Sequence, residues 1–196
     1  SGASVDYTGT SCTLTFAPGS TTQTVLVPLA GDAMHESDET FTIDLSDATH
    51  AILARAQGIG TIVNDDGVPA VSIASVSVAE GNVGTTAATF VLTLSSASEL
   101  PVTVNYATAD GTATAGSDYT AASGTATFAA GATSTEVTVS VAGDTVSELD
   151  ETFVVNLSAT SNATLAGTQA TGTIVNNDAV PSISIADVSV VEGNAG

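Results

Sequence analysis

Positive charge is almost missing from this chain. Twenty-one acidic side chains face a single basic residue, Arg55, and the formal net charge is −20 over 196 residues. Nucleic acid and anionic lipid are bound through Lys and Arg, so neither is expected as a partner. Tryptophan is absent and aromatics make up only 4% of the residues. The 43% of hydrophobic residues must therefore build a core from Val, Ile, Leu and Ala, with Thr filling strands, which is a β-rich composition. No apolar run approaches the ~18 residues of a membrane span, so no membrane insertion is expected. The chain opens at Ser1 without a signal-peptide pattern, and any targeting segment is expected to lie outside these residues. Cys12 is alone, which excludes an intrachain disulfide. It alternates with Leu14 and Phe16, and a small buried hydrophobe is the expected role.

What is present is a repeat. Asp6-Tyr7-Thr8 returns as Asp118-Tyr119-Thr120, Asp38-Glu39-Thr40-Phe41 as Asp150-Glu151-Thr152-Phe153, and Glu80-Gly81-Asn82 as Glu192-Gly193-Asn194. Each pair is separated by the same 112 positions, and roughly half of the overlapping residues are identical. That period is one domain of ordinary size, not a short solenoid motif. The expected organisation is the back part of one unit in residues 1–67, a complete unit in 68–179, and only the opening strand of a third in 180–196. Val68-Pro69 and Val180-Pro181 follow short acidic turns, and each proline enforces an extended path into the next strand. Neighbouring units are expected to lie end to end.

Period-2 alternation dominates the complete unit. Val71 and Ile73, then Val76 and Val78, form an opening strand in two parts. Phe90, Leu92 and Leu94 follow, then Val102, Val104 and Tyr106, then Ala126 and Phe128. Val137 to Val141, Phe153 to Leu157 and Thr171 to Val175 complete the set. The fold class is all-β, with tandem immunoglobulin-like β-sandwiches of about seven strands per complete unit. An antibody-type domain is excluded by the missing Cys–Trp–Cys core.

The acids gather at strand ends: Glu80, Asp110, Asp118, Asp144, Glu148, Asp150, Glu151 and Asp178. Asp144, Glu148, Asp150 and Glu151 fall within one loop, and no basic residue lies in the complete unit. Such crowding is unfavourable unless a hard cation lies among the oxygens. The same loop recurs as Asp32, Glu36, Asp38 and Glu39 while its spacers change. Calcium (Ca2+) fits best, because it accepts six to eight oxygens in flexible geometry. Zinc would want Cys or His, and the complete unit has neither. A Ser/His/Asp hydrolase fails on the same ground, and no aromatic platform supports a glycosidase, so no enzymatic activity is expected. Asp118 and Tyr119 read as structural, a turn carboxylate and a tyrosine packed under a loop.

The ordered strings Val78-Ala-Glu80-Gly81-Asn82, Tyr106 to Ala113, Ala115 to Tyr119, Gly143-Asp144 with Glu148 to Phe153, and Gly172 to Asp178 resemble the Calx-beta domain. That family is the calcium-binding module of sodium–calcium exchangers, also found in tandem runs in bacterial surface and secreted proteins. The resemblance covers the whole complete unit. It implies Glu80, Asp110, Asp144, Glu148 and Glu151 as ligands, joined by Asn176, Asn177 and Asp178 of the exit turn and the Val146 carbonyl. Through the repeat it extends to Asp32, Glu36, Glu39, Asn64, Asp65, Asp66 and Glu192. Two departures stand out. Asn replaces Asp at two of the three exit positions here and at one in the other unit, and the aspartate run opening the acidic loop is reduced to Asp144. Fewer charged ligands imply one to two ions per unit, at the ~10⁻⁴–10⁻³ M affinities of extracellular modules.

The function expected is a calcium-binding structural repeat of a secreted or cell-surface bacterial protein: an adhesin stalk, a surface layer or a filament. A regulatory calcium sensor, as in the exchangers, is the alternative. Expected partners are neighbouring repeats of the same chain, or identical chains completing one another by strand addition in a filament.

Overall fold

The computed structural model describes residues 5–194. Residues 1–4 and 195–196, the outermost parts of the two expected end units, lie outside the described residues. Among the described residues there are strands and turns but no helix.

Strands β1 (Glu39–Asp44) and β2 (Gln57–Ile62) form an antiparallel pair. The remaining strands belong to one sandwich: β3 (Ala70–Ile73), β4 (Val76–Ala79), β5 (Thr85–Leu94), β6 (Val102–Asp110), β7 (Ser123–Phe128), β8 (Ser134–Ala142), β9 (Glu151–Ser161), β10 (Thr164–Leu165) and β11 (Gln169–Val175). One sheet has the order β10-β3-β5-β8 and the other β4-β11-β9-β6-β7. The opening strand is split as its two apolar halves imply. β3 runs antiparallel to β5, and β4 runs parallel to β11 in the opposite sheet. The break falls at Ala74-Ser75, where the Ser75 hydroxyl accepts from Thr171 N at 3.0 Å. With the split β3 and β4 counted as one opening strand and the two-residue β10 left out, the unit has the seven strands of an immunoglobulin-like sandwich.

Alternation decides what is buried. Phe90, Leu92 and Leu94 of β5, Val137, Val139 and Val141 of β8, and Phe153, Val155 and Leu157 of β9 all face inward. Tyr119 lies flat on Phe153, with ring centroids 4.5 Å apart, and Phe90 meets Phe153 edge-on at 5.9 Å. Each fully buried side chain of this size contributes about 1.5–3 kcal/mol of transfer free energy. Gly172 sits opposite Phe153, and a Cβ there would collide with the ring.

The first unit repeats the same contact in different surroundings. Gly60 lies opposite Phe41, as Gly172 does opposite Phe153, and Tyr7 stacks on Phe41 at 5.0 Å. Yet Tyr7 is 39% exposed whereas Tyr119 is 1% exposed. No opposing sheet covers Tyr7 among the described residues. The expected burial of Cys12 fails for the same reason: its thiol is exposed. Residues 180–194 carry no strand, and Ile183 and Ile185 stand in solvent.

Candidate functional site

The strand directions bring five chain segments to one end of the sandwich. Glu80 follows β4, Asp118 lies in the β6–β7 loop, Asp144 and Glu148 lie between β8 and β9, Glu151 opens β9, and Asn176 to Asp178 leave β11. Gly143 allows the acidic loop to lie against the turn after β4, since a Cβ there would collide with the Gly81 carbonyl oxygen. The Gly143 amide donates to the Gly84 carbonyl at 3.0 Å.

Glu80 is the unusual group. It is only 5% exposed, and its Oε1 has no hydrogen-bond partner. Asp178 Oδ2 is likewise buried without one. An uncompensated buried carboxylate is costly, so the site is built around something that supplies positive charge or a proton. Burial pushes the Glu80 carboxyl above its ordinary 4.5, and the charges of Asp144, Glu148 and Asp178 push the same way. Glu151 is also raised, first by burial, then by the charge of Asp118 and the hydrogen bond it shares with it, then by Glu148 and Glu80. Asp118, Glu148 and Glu151 each place one carboxylate oxygen within 4.8 Å of the others, a grouping that can hold a metal ion. Hard oxygens alone suit calcium rather than zinc.

The surrounding backbone is ordered by its own side chains. Asp144 Oδ1 accepts from Val146 N at 2.6 Å, and Asp150 Oδ1 accepts from Asn176 N at 3.1 Å. Asn176 Nδ2 donates to the Asp178 carbonyl, while Asn82 and Asn177 tie the turn after β4 to the exit segment. Asn at two exit positions therefore supplies donors that Asp lacks, closing the exit turn without further negative charge.

The structure distributes the expected ligands unevenly. Glu80, Asp144, Glu148, Glu151 and Asp178 share one electrostatic neighbourhood. Val146 follows the turn set by Asp144, and Asn176 and Asn177 serve as hydrogen-bond links. Asp110 is not one of the three residues grouped in this way. Its Oδ1 accepts from the Tyr119 hydroxyl at 2.6 Å and from Ala115 N at 2.9 Å. Those bonds hold its carboxyl below the usual range, while burial and the same bond push Tyr119 up to about 12. Asp118, which was not among the expected ligands, is in that group. It keeps the structural role read from sequence, accepting from Thr114 N at 2.7 Å, and also faces Glu148 and Glu151. One signal for it was available, the recurrence of Asp6 as Asp118 in step with the acidic loops.

In the first unit Asp32 Oδ1 accepts from Met34 N, as Asp144 does from Val146 N, and Asn64 bonds the Glu36 amide and the Asp66 carbonyl. The Glu39 carboxyl is raised, first by a hydrogen bond with Asp6, then by the Asp6 charge, burial, and Glu99 and Glu36. Asp65 is exposed, and Glu192 is exposed on the strandless tail. Main-chain bonds join the two larger units: His35 N to Ala97 O at 3.1 Å and Glu99 N to His35 O at 3.0 Å.

A two-sheet sandwich with an acidic, partly buried pole defines an all-β module built to gather oxygen ligands. The profile of the Calx-beta domain matches residues 1–66 and 63–178, so the chain belongs to the Calx-beta family. Among solved structures it is similar to CBD12 from CALX1.2, at 26% identity and a TM-score of 0.50. That alignment covers 55% of this chain and 45% of CBD12, less than half of the latter's length. The apo form of the Calx CBD1 domain is 27% identical over 57% of this chain and all of that one, with a TM-score of 0.48. No curated protein matches.

Proposed function

We propose that this chain is a calcium-binding structural module of a secreted or cell-surface protein, not an enzyme, in which calcium at the pole fixes the angle between successive sandwiches. The observation that carries this is Glu80. A carboxylate 5% exposed, with one oxygen unpartnered and Asp144, Glu148 and Asp178 around it, is in deficit of positive charge that a divalent ion supplies. Membership of the Calx-beta family supports the choice of calcium. Glu80, Asp118, Asp144, Glu148, Glu151 and Asp178 are the residues assigned to hold it, with the Val146 carbonyl beside them. The ion neutralises the acids, draws the five segments together and stiffens the chain exit at Asn176 to Asp178. The Ala97–Glu99 loop meeting His35 supports an end-to-end arrangement of modules.

Two kinds of protein use such a module: rods such as adhesin stalks, surface layers or filaments, and regulatory calcium sensors. The likeness to Calx CBD12 favours the second, and the reduced count of exit carboxylates favours the first. Affinity separates them. Calorimetric titration of the full chain is expected to give ~10⁻⁴–10⁻³ M binding for a rod, and submicromolar binding would reverse that choice. Chelation is expected to lower the melting temperature and broaden the inter-module angle seen in solution scattering. Glu148→Ala or Asp144→Ala should reproduce part of that loss in the presence of calcium.

A further inference from the structure

We propose that Asn82 and Asn177 are positioning residues for the calcium pole: they form an amide clasp that needs no ion, and it sets both the aim of Glu80 and Asp178 and the number of ions the pole accepts. The clasp's part in binding rests on the calcium reading above. It begins where the sheet ends. β4 and β11 run parallel from Val76 opposite Gly172 to Ala79 opposite Val175, and the Glu80 amide adds one more bond, to the Val175 carbonyl at 3.2 Å. Gly81 then turns the main chain out of the ladder with φ 84°, a conformation that glycine adopts at little cost.

Side chains carry the pairing onward. Asn177 Oδ1 accepts from Gly81 N at 3.2 Å, Asn177 Nδ2 donates to Asn82 Oδ1 at 2.9 Å, and Asn82 Nδ2 donates to Asp178 Oδ1 at 2.8 Å. The Asn177 main-chain amide also bonds to the Glu80 carboxylate. One oxygen of each acid is thus taken up by the clasp. The other, Glu80 Oε1 and Asp178 Oδ2, is buried and has no partner. Two anionic oxygens left bare in this way mark where positive charge belongs, and the bonds to their twins keep both from swinging aside. Oδ1 and Nδ2 of Asn177 are both spent on protein groups, which makes this residue a brace.

Chemistry then fixes the count. A carboxylate at 177 could not donate to Asn82, and it would add a charge beside Glu80 and Asp178 that a further cation must offset. The amide instead ties the exit turn to the turn after β4 with no ion at all. Within the exit turn the two units differ at this position alone, Asp65 standing where the complete unit has Asn177. Asn64 keeps the bonds of Asn176: it meets the Asp66 carbonyl at 2.8 Å and the Asp66 amide at 3.4 Å, as Asn176 meets those of Asp178 at 3.1 and 3.2 Å. The turn therefore closes with either residue, and position 177 decides what it binds. Calcium's part is to join this clasped half of the pole to Asp118, Asp144, Glu148 and Glu151.

Calorimetric calcium titration, and melting with and without calcium, test this on the full chain and its variants. Asn82→Ala releases Asp178 Oδ1 and the Asn177 amide, and it should weaken calcium binding about tenfold at an unchanged ion count, as loss of an outer partner of a metal ligand does. Asn177→Asp is isosteric. It should add a further ion to the chain's count and lower the melting temperature in chelator, with the loss recovered in saturating calcium. Neither substitution touches the first unit, so each effect is read as a difference from the parent. Amide exchange gives a readout that needs no ion: Gly81 should exchange equally slowly in calcium and in chelator, and about tenfold faster in Asn177→Ala. An Asn82→Ala chain that only melts lower, by the same amount in both conditions and with the parent's affinity, overturns the clasp. So does an Asn177→Asp chain with the parent's ion count, or a Gly81 amide protected only in calcium. The calcium reading fails separately, by a parent whose melting ignores calcium, and the exchange in chelator then still decides whether the amides hold the exit.

Discussion

Glu80→Gln is the most discriminating substitution, because its effect changes sign with calcium. Glutamine keeps the shape and removes the charge. In calcium the parent gains RT ln(1 + [Ca]/Kd), so free calcium at ten to one hundred times Kd is worth about 1.4–2.7 kcal/mol. For a unit of this size each kcal/mol moves the melting temperature by roughly 4 °C, which predicts a calcium-induced rise of about 5–11 °C. Glu80→Gln should lose most of that rise. In chelator the order reverses. The buried carboxylate, raised by desolvation and by Asp144, Glu148 and Asp178, weighs against folding at neutral pH, and glutamine relieves it. The variant should then melt at or above the parent. Melting curves of both chains, with and without calcium, give four numbers. A variant that keeps the full calcium-induced rise, or that melts well below the parent in chelator, would refute the idea that Glu80 waits on a cation.

Asp118→Asn and Asp110→Asn should part company: the first reduces the calcium-induced rise, and the second leaves it intact. Asp110→Asn should instead lower the melting temperature equally with and without calcium, because the Tyr119 hydroxyl loses its charged acceptor. In chelator, acidifying from neutral toward the ordinary 4.5 should stabilise the protein, since the raised carboxyls of Glu80 and Glu151 bind protons more tightly folded than unfolded. That gain is complete below the unfolded pKa and is lost as pH rises through the folded one. Asp110, held low, works in the opposite sense and costs stability as pH falls below the unfolded Asp range. The calcium-induced rise should shrink over the same acidification, because the ion needs deprotonated ligands. Gly143→Ala should cost about 1–3 kcal/mol and weaken calcium binding, as its methyl would meet the Gly81 carbonyl and push the acidic loop from Glu80. Chemical denaturation and calorimetry check both.

Much of this was legible in one dimension. A 112-residue repeat, period-2 alternation and turn residues between apolar runs imply tandem sandwiches, and alternation maps directly onto the inner faces of β5, β8 and β9. The split of the opening strand was readable too, because Val71 and Ile73 are out of step with Val76 and Val78. The acidic loop announced itself by density of like charge, which is a property of composition and spacing.

What spacing could not rank was Asp110 against Asp118. Both stand in loops near acidic company, and only the fold turns one carboxylate to the Tyr119 hydroxyl and the other to Glu148 and Glu151. Identical local sequence also met different fates: Tyr7 and Tyr119 share neighbours and a stacking partner, yet one is exposed and the other is core. Pattern and repeat are carried by the order of residues, so the sequence alone determined the sandwich and the poles rich in acid. Burial and pairing depend on what lies across the sheet, often a hundred residues away. Only the tertiary structure therefore decided that Glu80 is sealed with an oxygen unpartnered while Asp110 turns to the Tyr119 hydroxyl.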